Sequence, residues 1–258
     1  MSDPAPGPDS TQETFISHLI ELRSRLLRSI VAVVVVLLCL FPWAKEIYAL
    51  LAAPMLKALP RGSTMIATDV TGTFLVPLKV TLMAAFLVAL PYVLYQMWAF
   101  VAPGLYHHEK RLAVPVIVSS VVFFAFGMAF AYFAVFPIAF GFFAGYAPVG
   151  VQMMTDIDKY LSFVLTMFIA FGITFETPVV VIVLVRFGVV SLEKLRSIRG
   201  YVIVGAFVVG AIFTPPDILS QVMLAVPLWL LFELGLLVAR FVSVPPREGA
   251  VAEEEKST

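Results

Sequence analysis

Apolar residues fill long stretches of this chain and polar residues gather in short segments between them, a pattern whose natural unit is a membrane-spanning helix of about 20 residues. Leu26 to Trp43, Thr73 to Trp98, Leu112 to Phe136 and Tyr160 to Val185 each have the length to cross a bilayer, with Lys79 near the start of the second and Glu176 inside the fourth. Two unequal pieces follow. Tyr201 to Phe213 is too short to cross fully, whereas Ile218 to Ala239 is long enough. Between them, Thr214-Pro215-Pro216-Asp217 cannot continue a straight helix, because successive prolines remove helical donors. The pattern predicts an all-α integral membrane protein of six transmembrane helices, with helices five and six forming a tight, unequal hairpin. The bilayer beside the short fifth helix is expected to thin. Ahead of the first span, Phe15, Leu19, Leu22 and Leu26 recur at helical spacing with Glu21, Arg25 and Arg28 on other faces, which predicts a short amphipathic helix at the interface.

Composition agrees with lipid as the main solvent: 61% of residues are hydrophobic and 13% charged, against roughly 45–50% and 25% in soluble domains. The formal net charge of zero gives no basic excess for nucleic acid, so the information lies in where charges sit. With the N-terminus in the cytoplasm, that side receives Arg23, Arg25, Arg28, Lys110, Arg111, Arg186, Lys194, Arg196, Arg199, Arg240, Arg247 and Lys256, while the other side keeps Lys45, Lys57, Arg61 and Lys159. Both termini are therefore expected inside. Residues 1–14 and 243–258, rich in Pro and acids, are expected to be disordered tails flanking a helical domain over 15–242. The lone Cys39 lies in an apolar run and reads as a structural thiol.

Few residues carry candidate chemistry. Glu21 stands four before Arg25, the spacing of an ordinary helical ion pair. Glu109 is the one acid in the loop Ala102-Pro103-Gly104-Leu105-Tyr106-His107-His108-Glu109-Lys110-Arg111. It reads either as a cap on the next helix or as a surface carboxylate that receives a cationic peptide, where guanidinium matches a carboxylate better than ammonium does. The adjacent histidines lack metal-site spacing. Glu176 costs about 2.5–3.5 kcal/mol at bilayer depth and must face protein or water. It reads equally as a hydrogen-bonded structural acid or as a polar lining for polypeptide or protons, with Thr174 and Pro178 making a notch and kink beside it. Lys79, Asp217 and Glu233 lie near span ends, within snorkelling reach of the interface, and read as mainly structural. Thr214 and Gln221 flank the hairpin turn, where a polar group pairs with a partner helix or internally. Nucleotide-binding loops, nucleophile elbows and paired catalytic carboxylates do not occur, so no enzyme, metal or cofactor is expected.

Several stretches then line up in order: His18-Leu19-Ile20-Glu21-Leu22-Arg23, Gly62-Ser63-Thr64-Met65-Ile66-Ala67-Thr68-Asp69, Trp98-Ala99-Phe100 through Ala102-Pro103-Gly104-Leu105-Tyr106 to Glu109, Phe175-Glu176 with Pro178, and Gly205-Ala206-Phe207-Val208-Val209-Gly210 before Thr214-Pro215-Pro216-Asp217. Together they resemble the TatC family, the multi-spanning signal-recognition subunit of the twin-arginine protein translocase, from about His18 to Arg240. The resemblance implies a cup-like, concave six-helix receptor in the bacterial inner membrane, binding twin-arginine signal peptides of folded precursors for export driven by the proton gradient. It assigns Glu21 and Glu109 to the arginine pair, with Arg23, Lys110 and Arg111 beside them, Glu176 to the intramembrane acid, and Pro54 and Asp217 to activity or assembly. It implies single-span TatA and TatB partners near Thr214 and Gln221, and a homo-oligomer within a TatBC complex. One departure is His107-His108-Glu109-Lys110, where relatives often carry Lys and a second Arg. It keeps the carboxylate and adds groups that titrate near neutrality. Two other readings remain at this point: a proton-coupled small-solute transporter with a Glu176 relay, and a scaffold for partner helices.

Overall fold

The computed structural model describes residues 8–58, 65–105, 113–146, 154–214 and 217–242, and every regular element among them is helical. The first, α1 (Pro8–Leu40), leads through a 3₁₀ turn at Phe41–Trp43 into α2 (Ala44–Ala58). Next come α3 (Gly72–Leu105) and α4 (Ala113–Phe130), which passes through a π-helical segment at Ala131–Val135 into α5 (Phe136–Gly145). The fourth span is divided into α6 (Ile157–Phe175) and α7 (Thr177–Arg186), and the short α8 (Leu192–Ser197) precedes α9 (Arg199–Phe213) and α10 (Ile218–Val242).

Five stretches among the described residues are long and apolar enough to cross a membrane: Ser17–Ala53, Gly72–Phe100, Val114–Gly145, Ile157–Arg186 and Ile218–Phe241. The shorter α9 has 15 residues, about 22 Å of helix against about 30 Å of hydrocarbon.

Two expectations change. The segment from Phe15 is not a separate interfacial helix: α1 is continuous from Pro8, so helix also enters the stretch expected to be a tail. Neither Gly nor Pro occurs between Phe15 and Leu40, so nothing stops propagation. The second is α2, in a stretch expected to be loop. Ile47 and Leu51 pack inward against Val76, Val80 and Leu161 at helical spacing, which gives this helix its buried face.

The core is aromatic and small-residue packed. Phe124, Phe136, Phe140, Phe168, Phe171 and Phe175 are buried in one cluster with Leu90, Leu94 and Leu224. Two glycines let the third and fourth spans touch. A Cβ on Gly127 would lie 2.5 Å from the Phe171 carbonyl oxygen, and one on Gly172 would lie 2.4 Å from the Phe124 ring.

At the end of the bundle opposite Glu21, backbone bonds join Ile66 N–H to Thr155 O at 3.0 Å and Ile157 N–H to Ile66 O at 2.9 Å. Asp156 caps α6 by accepting from the amides of Asp158 and Lys159, and also accepts from the Thr68 amide and hydroxyl. The Thr68 hydroxyl is the main reason its carboxyl is held down to about 2 from the usual 3.8. Nearby, Asp69 is lowered by its hydrogen bonds from Thr71.

Candidate functional site

At the other end, α1 and α3 carry a polar chain across their contact. Arg25 donates to Glu21 Oε1 twice, from Nε at 2.9 Å and from Nη2 at 2.6 Å, and its Nη1 donates to Gln96 Oε1 at 3.3 Å. Gln96 is buried and its Nε2 donates to the Tyr92 hydroxyl at 2.7 Å. One turn before Glu21, His18 stacks on Phe100 with ring centroids 4.3 Å apart. The expected Glu21–Arg25 pair is therefore present, and a neighbouring helix fixes its guanidinium. Arg23 is exposed close by. Glu109, Lys110 and Arg111 lie outside the described residues, as do His107 and His108.

Two positions along α3, Trp98 serves the opposite face. Its Nε1 donates to Ser120 Oγ on α4 at 3.1 Å, and the Glu176 carboxyl lies beside that hydroxyl, off hydrogen-bond geometry. Glu176 is 9% exposed, and neither of its carboxyl oxygens has a hydrogen-bond partner among the described residues. The backbone explains its place. Pro178 lacks the N–H that would reach the Thr174 carbonyl, so the helix closes early: Glu176 N–H bonds Ile173 O and Thr174 O, and α7 restarts with Pro178 in its first turn. Thr174 is buried beside this break. A Cβ on Gly235 would lie 3.0 Å from Pro178 Cα, so α10 backs the same notch.

The charged residues near the span ends make structural bonds. Lys79 Nζ pairs with Asp158 at 2.6 Å, Arg199 pairs with Glu233 at 2.7 Å, and Asp217 accepts the Ser220 amide at 2.7 Å as the first turn of α10 forms. Each partner lies on another element or in the next turn. Gln221 Nε2 donates to the Phe207 carbonyl at 2.9 Å and thereby ties α10 to α9. The Thr214 hydroxyl donates to Gly210 O at 2.8 Å. Pro54 falls within α2.

Among the described residues, cavities with apolar linings open between the spans. One of about 620 Å³ lies between α1, α3 and α6, bounded by Leu26, Ile30, Phe86 and Ile169. Another, about 390 Å³, lies under α2, bounded by Ile47, Leu50, Met83 and Tyr132.

Residues 17–227 match the family described as Sec-independent protein translocase protein (TatC). This chain belongs to the TatC family. It is 58% identical over 230 residues to the TatC of Azotobacter chroococcum, covering 89% of this chain and 90% of that one. It is 56% identical over 229 residues to the TatC of Escherichia coli K12, covering 89% of each. A crystal structure of the twin-arginine translocase receptor TatC superposes with a TM-score of 0.77 at 41% identity, covering 87% of this chain and 99% of that one. The all-helical fold is thus the TatC fold, and the chain is a translocase component of the bacterial inner membrane and not an enzyme.

The hydrogen-bonding role of two tyrosines in this chain was not visible in the sequence. Tyr132 and Tyr160 reach backbone carbonyls 82 and 109 residues away. Tyr160 read only as the first residue of the expected fourth span.

Proposed function

We propose that this chain is the signal-recognising core subunit of the twin-arginine translocase, binding the signal peptides of folded precursors at its cytoplasmic face. Glu21 and Glu109 receive the two guanidinium groups, and Arg23, Lys110 and Arg111 shape the surrounding field. The observation that carries the reading is Glu21 holding a guanidinium already, through two charge-assisted bonds from Arg25 to one carboxylate oxygen. A client arginine that meets this carboxylate finds chemistry already suited to it. The Lys and Arg distribution supports an orientation with both termini in the cytoplasm.

The apolar signal segment then enters the concave membrane face, and Glu176, Thr174 and Pro178 give that face its polar feature. TatA and TatB dock along the α9–α10 hairpin, and TatC copies assemble with TatB. Thr214 and Gln221 act there by shaping the hairpin, since each side chain bonds within it. Asp217 sets the start of α10 and Pro54 the form of α2. Transport draws on the proton gradient.

The test is binding of a labelled twin-arginine peptide to the protein in nanodiscs, beside a twin-lysine peptide and the Glu109→Gln and Glu21→Gln variants. Tight binding lost with either carboxylate or with lysine substitution supports the reading, and indifference to all three overturns it. Flux of a small solute by this chain alone in liposomes would instead favour a Glu176-based transporter.

A further inference from the structure

A proline inside a helix leaves the carbonyl four residues earlier without its donor, and the ring pushes that turn open. Pro54 lies in α2, four residues after Leu50, and has no N–H to offer the Leu50 carbonyl. The Tyr132 hydroxyl, from the π-helical segment of the third span, donates to Leu50 O at 2.9 Å. The Tyr160 hydroxyl, from α6, donates to the next carbonyl, Leu51 O, also at 2.9 Å. Two tyrosines from two spans thus meet two consecutive carbonyls in the turn of α2 where Pro54 has no N–H to donate.

Both rings are held for this purpose. Tyr132 packs edge-on to Phe136 at 6.5 Å, Phe136 packs on Phe140 at 5.6 Å, and Phe140 packs on Tyr160 at 5.4 Å. Phe136 and Phe140 are buried, as is the Tyr160 ring. The π segment owes its position to Pro137, which cannot donate to the Phe133 carbonyl, and the widened turn carries Tyr132.

We infer that Tyr132 and Tyr160 are positioning residues of the translocase: the Tyr132 hydroxyl supplies the donor that Pro54 lacks, the Tyr160 hydroxyl adds a second bond at the neighbouring carbonyl, and together they fix α2 against the third and fourth spans. Held there, Ile47, Leu50 and Leu51 wall the 390 Å³ cavity. The inference does not depend on which residues bind the signal peptide, because the clamp lies at the end of the bundle opposite Glu21.

A double-mutant cycle with Pro54 tests it, read by hydrogen exchange of residues 44–58 in nanodiscs. Tyr132→Phe keeps the ring and removes the hydroxyl, and in the native chain it should speed exchange roughly three- to tenfold, the worth of one ordinary hydrogen bond. In the Pro54→Ala background residue 54 regains its N–H and serves Leu50 O itself, so Tyr132→Phe should then be silent. The Tyr132→Phe/Tyr160→Phe pair should lower export of a twin-arginine precursor several-fold with signal-peptide affinity unchanged. Equal exchange effects in both backgrounds, no effect in the native chain, or full export by the double variant would each overturn the inference.

Discussion

Glu21 and Arg25 illustrate how a pair visible in the sequence acquires meaning from a residue that is not. Four-residue spacing announces the ion pair, but the buried Gln96 that receives Arg25 Nη1 lies 71 positions away, and no local pattern reveals it. On the proposed mechanism Arg25 competes with the client's guanidinium for Glu21. Arg25→Gln should therefore tighten binding of a twin-arginine peptide by up to about fivefold, since a partly exposed pair is worth up to about 1 kcal/mol. Weaker binding in a peptide titration would show that Arg25 builds the site. Asp156 offers a second residue-scale test with a definite sign. Its folded carboxyl sits at about 2, below the usual 3.8, so its stabilisation is complete above about 4 and disappears as pH falls toward 2. The melting temperature of Asp156→Asn should lie below that of the native protein at pH 6, and the gap should close between pH 4 and pH 2.

At the scale of elements, the long spans were legible because lipid demands unbroken apolar runs, and each break has a chemical cause. Pro178 divides α6 from α7, and the Thr214-Pro215-Pro216-Asp217 stretch separates α9 from α10. The helix α2 was not legible as a helix, because it is too short and polar to span and contains Pro54. Its inward face is recognisable only once α3 and α6 supply the surface it covers. Glycine packing was equally hidden, since a glycine in an apolar run gives no sign of what approaches it. Gly127 and Gly141 separate the two cases within one span. A Cβ at Gly127 meets a backbone oxygen at 2.5 Å, whereas one at Gly141 meets nothing within 4 Å. Gly127→Ala should destabilise the protein by about 1–3 kcal/mol through overpacking, and Gly141→Ala should leave stability unchanged or raise it by up to about 1 kcal/mol through helix propensity. Thermal unfolding in detergent reads both.

Across the whole molecule the candidate site was legible as residue types but not as an arrangement. Glu21 and Glu176 stood out because acids are scarce in such a chain. That α3 serves both, with Gln96 toward α1 and Trp98 toward Ser120 and Glu176, follows only from the packing of three spans. The most consequential global feature is the inequality of the last pair: α9 has 15 residues and α10 has 25. A helix that falls short by about 8 Å of the hydrocarbon thickness forces the bilayer to thin beside it or the chain to tilt. If thinning beside α9 lowers the cost of passing a folded precursor, lengthening the helix should abolish that advantage. Four leucines inserted after Val204 add about 6 Å and return the following residues to within about 40° of their original face, so the α9–α10 contact through Gln221 can re-form. The extended protein should bind a twin-arginine peptide with native affinity yet export precursor at least tenfold more slowly in inverted membrane vesicles. Native export rates would mean that the short helix is a packing solution without a part in transport, and lost peptide binding would mean that the insertion disturbs the recognition end and not the bilayer.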